Sequence, residues 1–180
     1  MTKRKKAIHY ASQMVKNGSV YCWSGQGEKI REAGENFVTD HETSADNVKR
    51  VNAFIGKSYL EGKLTRRARF FDCSGLVIES LKYAGVLPAD FDGTADNLFH
   101  RFPDPKVMAA GDLVFKVTKQ GVATHVGILK DLQTVIEAKG RRNCMFYHSC
   151  SSLDVSNHYG CSELLKGGKS NYNTGCIYTS

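Results

Sequence analysis

The apolar residues of this chain follow a helical period up to about Phe102 and a strand-like pattern from Asp112 onward. Ala7, Ile8, Ala11, Met14 and Val15 predict a helix over 7–17, with Gly18 as its stop. Leu76, Val77, Leu81 and Ala84 predict a second helix that opens at or near Cys73 and ends at Gly85. A shorter helix is expected over 94–102, with Leu98, Phe99 and Phe102 inside and Pro103 beyond. After it come short segments rich in bulky or β-branched residues, at 112–117, 125–130, 134–139 and 144–148, with a final edge strand at 176–179. Helices first and an antiparallel sheet afterwards make an α+β layout.

Two stretches interrupt this order. Residues 28–70 are polar and charged, too long for a structureless loop. One helix is expected inside, with Ser44 as N-cap, Val48, Val51, Phe54 and Ile55 as its buried face and Gly56 as its stop. Leu64 to Arg69 is basic. Residues 149–175 are rich in Ser, Asn and Gly and read mainly as loop. At 180 residues, with no internal repeats, the chain is expected to form one domain over 1–180, with 28–70 as an insertion and 149–180 as a loop-rich extension.

The net charge of +7 favours anionic partners: nucleic acid, a membrane surface or anionic wall polymers. It is equally what a solvated Lys and Arg surface gives. Lys3 to Lys6 could imitate the start of a signal peptide, but Ala7 to Val15 contains His9, Ser12 and Gln13 and offers no apolar core segment. No run approaches transmembrane length, so no stable membrane insertion is expected. Cysteines stand at 22, 73, 144, 150, 161 and 176. Their even number permits three disulfides, yet without a signal peptide reduced thiols are the default expectation. None forms a Cys-x-x-Cys pair, which argues against a zinc site with His148 or His158. Neither a metal nor another cofactor is expected.

The segment Phe71-Asp72-Cys73-Ser74-Gly75 places a thiol at a helix N-terminus. The positive end of the helix dipole favours the thiolate there, which is the nucleophilic form. Ser74 and Gly75 leave room for a substrate backbone, and the Cys73 N–H could face a developing oxyanion. The pentapeptide alone is equally compatible with a buried structural cysteine capped by Asp72. A thiolate needs a base. His125 lies in Thr124-His125-Val126-Gly127-Ile128, where it shares a strand face with Gly127 while Val126 and Ile128 share the other. Taken alone, it also fits a histidine satisfied at a sheet edge. The imidazole works best when a third group orients it. Glu137 is the candidate: a turn near 131–133 and an even-sum register would set it diagonal to His125, whereas a slip of one residue would separate the two. Glu137 could otherwise be a solvated glutamate paired with Lys139 or Arg141.

Taken in order, Phe71-Asp72-Cys73-Ser74-Gly75-Leu76-Val77, Gly111-Asp112-Leu113-Val114-Phe115, His125-Val126-Gly127-Ile128 and Val135-Ile136-Glu137-Ala138 resemble the NlpC family of papain-like wall peptidases. Upstream, Tyr21-Cys22-Trp23-Ser24-Gly25 is similar to the family's Tyr-x-Trp-Gly-Gly segment. The resemblance runs from about Tyr21 to Gly140. It implies N-terminal helices packed on a central antiparallel sheet, with Cys73 opening a helix and His125 on the sheet. It implies hydrolysis of peptidoglycan stem peptides, commonly at the γ-D-glutamyl bond to a diamino acid. It further implies that Cys73, His125 and Glu137 are catalytic and that Tyr21, Trp23, Asp72 and Ser74 bind substrate. Two positions depart from the family. Glu137 stands where His, Asn or Gln is commoner, and it should raise the imidazole pKa; Ile136-Glu137-Ala138-Lys139-Gly140 resembles phage-encoded members. Ser24 replaces the first glycine, which puts the local backbone in question.

The expected partners are therefore peptidoglycan stem peptides and not nucleic acid, since Trp23 and the tyrosines form no recognisable stacking platform. The expected origin is a phage or prophage endolysin, made in the bacterial cytoplasm and delivered to the wall by lysis, a holin or a secretion machine. Alternatives are an N-acetylmuramoyl-L-alanine amidase or an acyltransferase running through the same thioester, and a non-catalytic wall-binding module.

Overall fold

Helix α1 (Lys3–Lys16) starts at Lys3 rather than at residue 7, because the Thr2 side chain accepts a hydrogen bond from the Lys5 N–H and caps it. The basic run Lys3 to Lys6 is therefore the first turn of a helix. Positive charge there opposes the helix dipole. One member of the run has a partner of its own: the Arg4 guanidinium lies 2.5 Å from the carboxylate of Asp112, which is fully buried. Asp112 also accepts from the Ala109 N–H at 2.8 Å, and Arg4 donates to the Ala110 carbonyl at 3.3 Å.

The computed structural model describes residues 1–102, 105 and 107–140, with the backbone of two further strands at Phe146–Ser149 and Thr174–Gly175. Strands β1 (Val20–Tyr21), β2 (Gln26–Lys29) and β3 (Arg69–Phe71) form a small sheet in the order β1-β3-β2. Strands β4 (Leu113–Val117), β5 (Ala123–Asp131), β6 (Thr134–Glu137), β7 (Phe146–Ser149) and β8 (Thr174–Gly175) form a second sheet, ordered β7-β6-β5-β4-β8. All its neighbours are antiparallel. The expected strand at 176–179 falls outside the described residues, as do Cys144, Cys150, Cys161, Cys176 and His158.

Helix α4 (Cys73–Tyr83) and α1 cover the larger sheet. Ala7 and Ala11 of α1 and Leu76, Val77 and Leu81 of α4 pack with Val126, Ile128 and Ile136, all essentially closed to solvent. Helix α5 (Ala95–Arg101) carries a Thr94–Asn97 capping box and adds Leu98 to this core. On the other side of the sheet Val114, Leu129 and Val135 form a smaller cluster.

Within 28–70, the helix expected after Ser44 is α3 (Ala45–Leu60), and the Ser44 side chain caps it by accepting from the Asn47 N–H. The expected stop at Gly56 is corrected. Gly56 is an exposed, mid-helix residue, where a glycine weakens a helix by about 1 kcal/mol without ending it. The chain leaves α3 at Gly62, which adopts φ +66°. Val51 is buried, while Val48, Phe54 and Ile55 are partly buried around a second core with Val20, Cys22, Val38 and Phe70. Helix α2 (Phe37–His41) belongs to the same core: Phe37 stacks on Phe70 at 4.7 Å.

Candidate active site

Cys73 is the first residue of α4, and the residue before it explains why the helix starts there. Asp72 has extended backbone and accepts from the Gly75 N–H at 2.7 Å through Oδ1. The Ser74 hydroxyl donates to the same oxygen at 2.9 Å. Asp72 and Ser74 thus build the cap beneath Cys73. The turn following β1 is docked against this start. The Asp72 N–H donates to the Gly25 carbonyl at 2.8 Å. A Cβ on Gly75 would lie 2.2 Å from that same oxygen, so only glycine lets the turn and the helix approach so closely.

His125 lies near the start of β5 and Glu137 ends β6. The pairs Ile128–Ile136 and Leu129–Val135 have the expected even-sum register, which sets Glu137 diagonal to His125. His125 Nε2 is 2.6 Å from Glu137 Oε2. Cys73 lies close enough to the imidazole to favour its protonated form. With Nε2 engaged by the carboxylate, Nδ1 is the nitrogen left for the sulfur. Burial disfavours the charged imidazolium, but the interactions with Cys73 and Glu137 and their negative charge outweigh it and push the His125 pKa up to about 9. The carboxylate of Glu137 is itself buried, with 5% of its side chain exposed, which shields the pair from water.

Tyr21 ends β1 and is half-buried. Burial raises its pKa, and nearby Cys73, Asp72 and Glu42 add to the effect, so the phenol stays a proton donor facing the site. Its ring lies against Gly140, whose carbonyl accepts from Arg50 of α3 at 3.1 Å. Trp23 exposes 54% of its surface, and its backbone N–H donates to Glu42 Oε1 at 2.9 Å. Ser24 is the one non-glycine with positive φ among the described residues, at +60°. The backbone here thus keeps the left-handed conformation that a glycine would hold without strain. Cys22, beside these residues, is fully buried. Burial, with Glu42 and Glu28 nearby, pushes its thiol up to about 12, which makes it inert.

The structure therefore brings Cys73, His125, Glu137, Tyr21, Asp72 and Ser74 into one region, with Trp23 on the adjoining loop. Two residues of the 28–70 segment also reach it. Glu42 holds the Trp23 loop and Arg50 holds Gly140. Neither carries a sequence signal, since each acts across many residues through a single hydrogen bond. Among the described residues no cluster of three or more His, Cys, Asp or Glu is placed to hold a metal ion. None of the described helices is long and apolar enough to cross a membrane.

A model of the NlpC/P60 family matches residues 56–162. No curated protein is matched. Among solved structures, NlpC1 from Trichomonas vaginalis is 13% identical with a TM-score of 0.57, over 99% of this chain and 45% of that one. The chain thus spans less than half the length of NlpC1. The P60 domain of an antigen from M. avium subspecies paratuberculosis is 18% identical, with a TM-score of 0.53 over 98% of each chain. RipD from Mycobacterium tuberculosis, described as a non-catalytic NlpC/p60 domain protein adapted to peptidoglycan binding, is 14% identical. Its TM-score is 0.51, over 83% of this chain and 88% of that one. At these identities the likeness shows a shared papain-like α+β fold.

Proposed function

The chain belongs to the NlpC/P60 family, and from that premise we propose that it is a cysteine endopeptidase of peptidoglycan stem peptides, cutting the γ-D-glutamyl bond to a diamino acid. The observation that carries this reading is the chain of contacts from Cys73 through His125 to Glu137. It matches the nucleophile–base–orienter arrangement that thioester chemistry needs.

In the proposed reaction the Cys73 sulfur attacks the scissile carbonyl carbon, and an S–C bond forms. The carbonyl electron pair moves to oxygen, where the Cys73 N–H at the start of α4 can meet it. His125, held protonated beside Glu137, gives its proton to the leaving amine as the C–N bond breaks. The neutral imidazole then takes a proton from water. The resulting hydroxide attacks the thioester, the S–C bond breaks, and the carboxylic acid leaves. Glu137 stays ionised throughout and orients the ring. Tyr21 and Trp23 would line the substrate groove, with Asp72 and Ser74 at its base. The run from Ile136 to Gly140 supports extending the reading to a phage or prophage endolysin that reaches the wall on lysis.

RipD, a non-catalytic NlpC/p60 domain protein adapted to peptidoglycan binding, favours a second reading, in which the same groove binds peptidoglycan without cutting it. Mass spectrometry of peptidoglycan digested with the wild-type protein and with Cys73→Ala separates the two. New termini at the diamino acid, absent with the variant, are expected. New L-alanine termini would make the protein an amidase, and no products from several wall types would favour the binding reading.

A further inference from the structure

The basic segment after α3 has no part in the site around Cys73. It lines a separate cleft of about 570 Å³ with Lys29, Arg66, Arg67, Arg69, Tyr10 and Tyr83 among its walls. Tyr83 ends the helix that Cys73 begins, so the Tyr83 wall of the cleft lies roughly 15 Å along α4 from the start of that helix.

The charges here are arranged against their own stability. Lys29 and Arg69 are direct cross-strand partners in the β2–β3 pair. Like charges in that position repel. Arg66 and Arg67 stand exposed on the adjoining turn, and their guanidinium groups have no acidic partner among the described residues. Two carboxylates among the described residues are paired beside this cluster. Glu32 pairs with Lys29 at 2.9 Å in an exposed bridge, and Glu79 pairs with Lys82 at 2.9 Å. An exposed bridge of this kind contributes little. The segment is nevertheless held firmly in place. Thr65 donates from both N–H and hydroxyl to the Asn17 carbonyl at 3.0 Å, Ala68 and Phe70 are buried, and Arg69 donates to the Gly27 carbonyl. A fixed cluster of four cations, whose two neighbouring carboxylates are shared with Lys29 and Lys82, carries excess positive charge that an anion would neutralise.

The ring arrangement narrows the class of anion. Tyr10 and Tyr83 pack on one another with centroids 5.1 Å apart and Tyr10 is partly buried, so one exposed ring, that of Tyr83, remains here, which is not a platform for stacking successive bases. We propose that this cleft binds a phosphodiester chain without bases, a polyol-phosphate polymer of the cell wall, and so holds the protein on the wall independently of the Cys73 groove. Its position on the wall, though not its chemistry, rests on the proposed function.

The test is a titration of a synthetic glycerol-phosphate oligomer into the wild-type protein and into Arg66→Gln/Arg67→Gln, at several salt concentrations. Both residues are exposed, and unchanged thermal unfolding would show that the variant folds. The expected result is at least a tenfold loss of affinity. The slope of log affinity against log salt should fall by about one to one and a half, the release expected for two phosphate contacts. Cleavage of soluble stem peptides should be unchanged, which separates failure here from failure of the peptidase reading. Equal affinity of variant and wild type would overturn the proposal. So would a single-stranded oligonucleotide of equal charge binding tenfold more tightly than the glycerol-phosphate oligomer, which would make the cleft a nucleic-acid site.

Discussion

His125 Nε2 and Glu137 Oε2 meet at 2.6 Å from diagonal positions on adjacent antiparallel strands. The contact orients the ring and, together with Cys73, favours its protonated form against the cost of burial. The His125 pKa is raised from 6.5 to about 9, so folding stabilises the imidazolium. That stabilisation is complete below pH 6.5 and is lost as the pH rises through about 9. Glu137→Gln removes the anion while keeping a hydrogen-bonding side chain. The His125 titration, followed by NMR, should move down by more than one unit, and any alkaline limb of activity should move with it. An unchanged titration would mean that Glu137 does not set the ring's charge.

Cys22 and Cys73 should differ sharply in alkylation. With its thiol pushed to about 12, Cys22 is about one part in ten thousand thiolate at pH 8, and it is fully buried. Iodoacetamide at that pH, followed by peptide mapping, should modify Cys73 while leaving Cys22 intact in the folded protein. Equal labelling of both would contradict the burial of Cys22.

Removing the partner of a buried carboxylate is more damaging than losing a surface charge. Arg4→Ala leaves Asp112 buried without its guanidinium and should lower stability by about 3 kcal/mol in urea unfolding. Lys5→Ala, one residue along the same exposed start, should cost under 0.5 kcal/mol. Similar losses for the two variants would show that the Arg4–Asp112 pair contributes nothing special.

Ser24 holds φ +60° at a position where the family's pattern has glycine. A non-glycine pays about 1 kcal/mol for that conformation, partly returned because glycine is freer in the unfolded chain. Ser24→Gly should therefore raise stability by about 0.5 kcal/mol, and Ser24→Val should lower it by more than 1 kcal/mol. A destabilising Ser24→Gly would imply that the hydroxyl makes a contact of its own.

The parts of the site that could be read in advance are those governed by local rules. Asp72 ahead of an apolar helical face marks where α4 begins. The odd numbering of His125 and Glu137, joined by a short turn, makes their meeting a matter of register parity. The rest depends on distant partners. Gln26–Lys29 is too polar and Arg69–Phe71 too short to read as strands, and they form because each finds its partner far along the chain, β3 between β1 and β2. Gly56 misleads because a lone glycine and a helix end look alike until the φ of Gly62 is known. Glu42 reaches Trp23 and Arg50 reaches Gly140 through contacts that leave no periodic trace. Arg4 belongs to a run whose meaning depends on Asp112, more than a hundred residues later in the chain.

The turn before β2 and the start of α4 meet backbone to backbone, Gly25 on Asp72 and Gly75, with no side chain between them. The distance from the Tyr21 side of the groove to the Cys73 sulfur is therefore set by main-chain dimensions. Core substitutions cannot widen or narrow it by degrees, because no packed layer exists there to be remodelled. Adjustment of the groove to different peptides is left to what projects from its rim: the Trp23 ring, Glu42 and the loop that Arg50 fastens at Gly140.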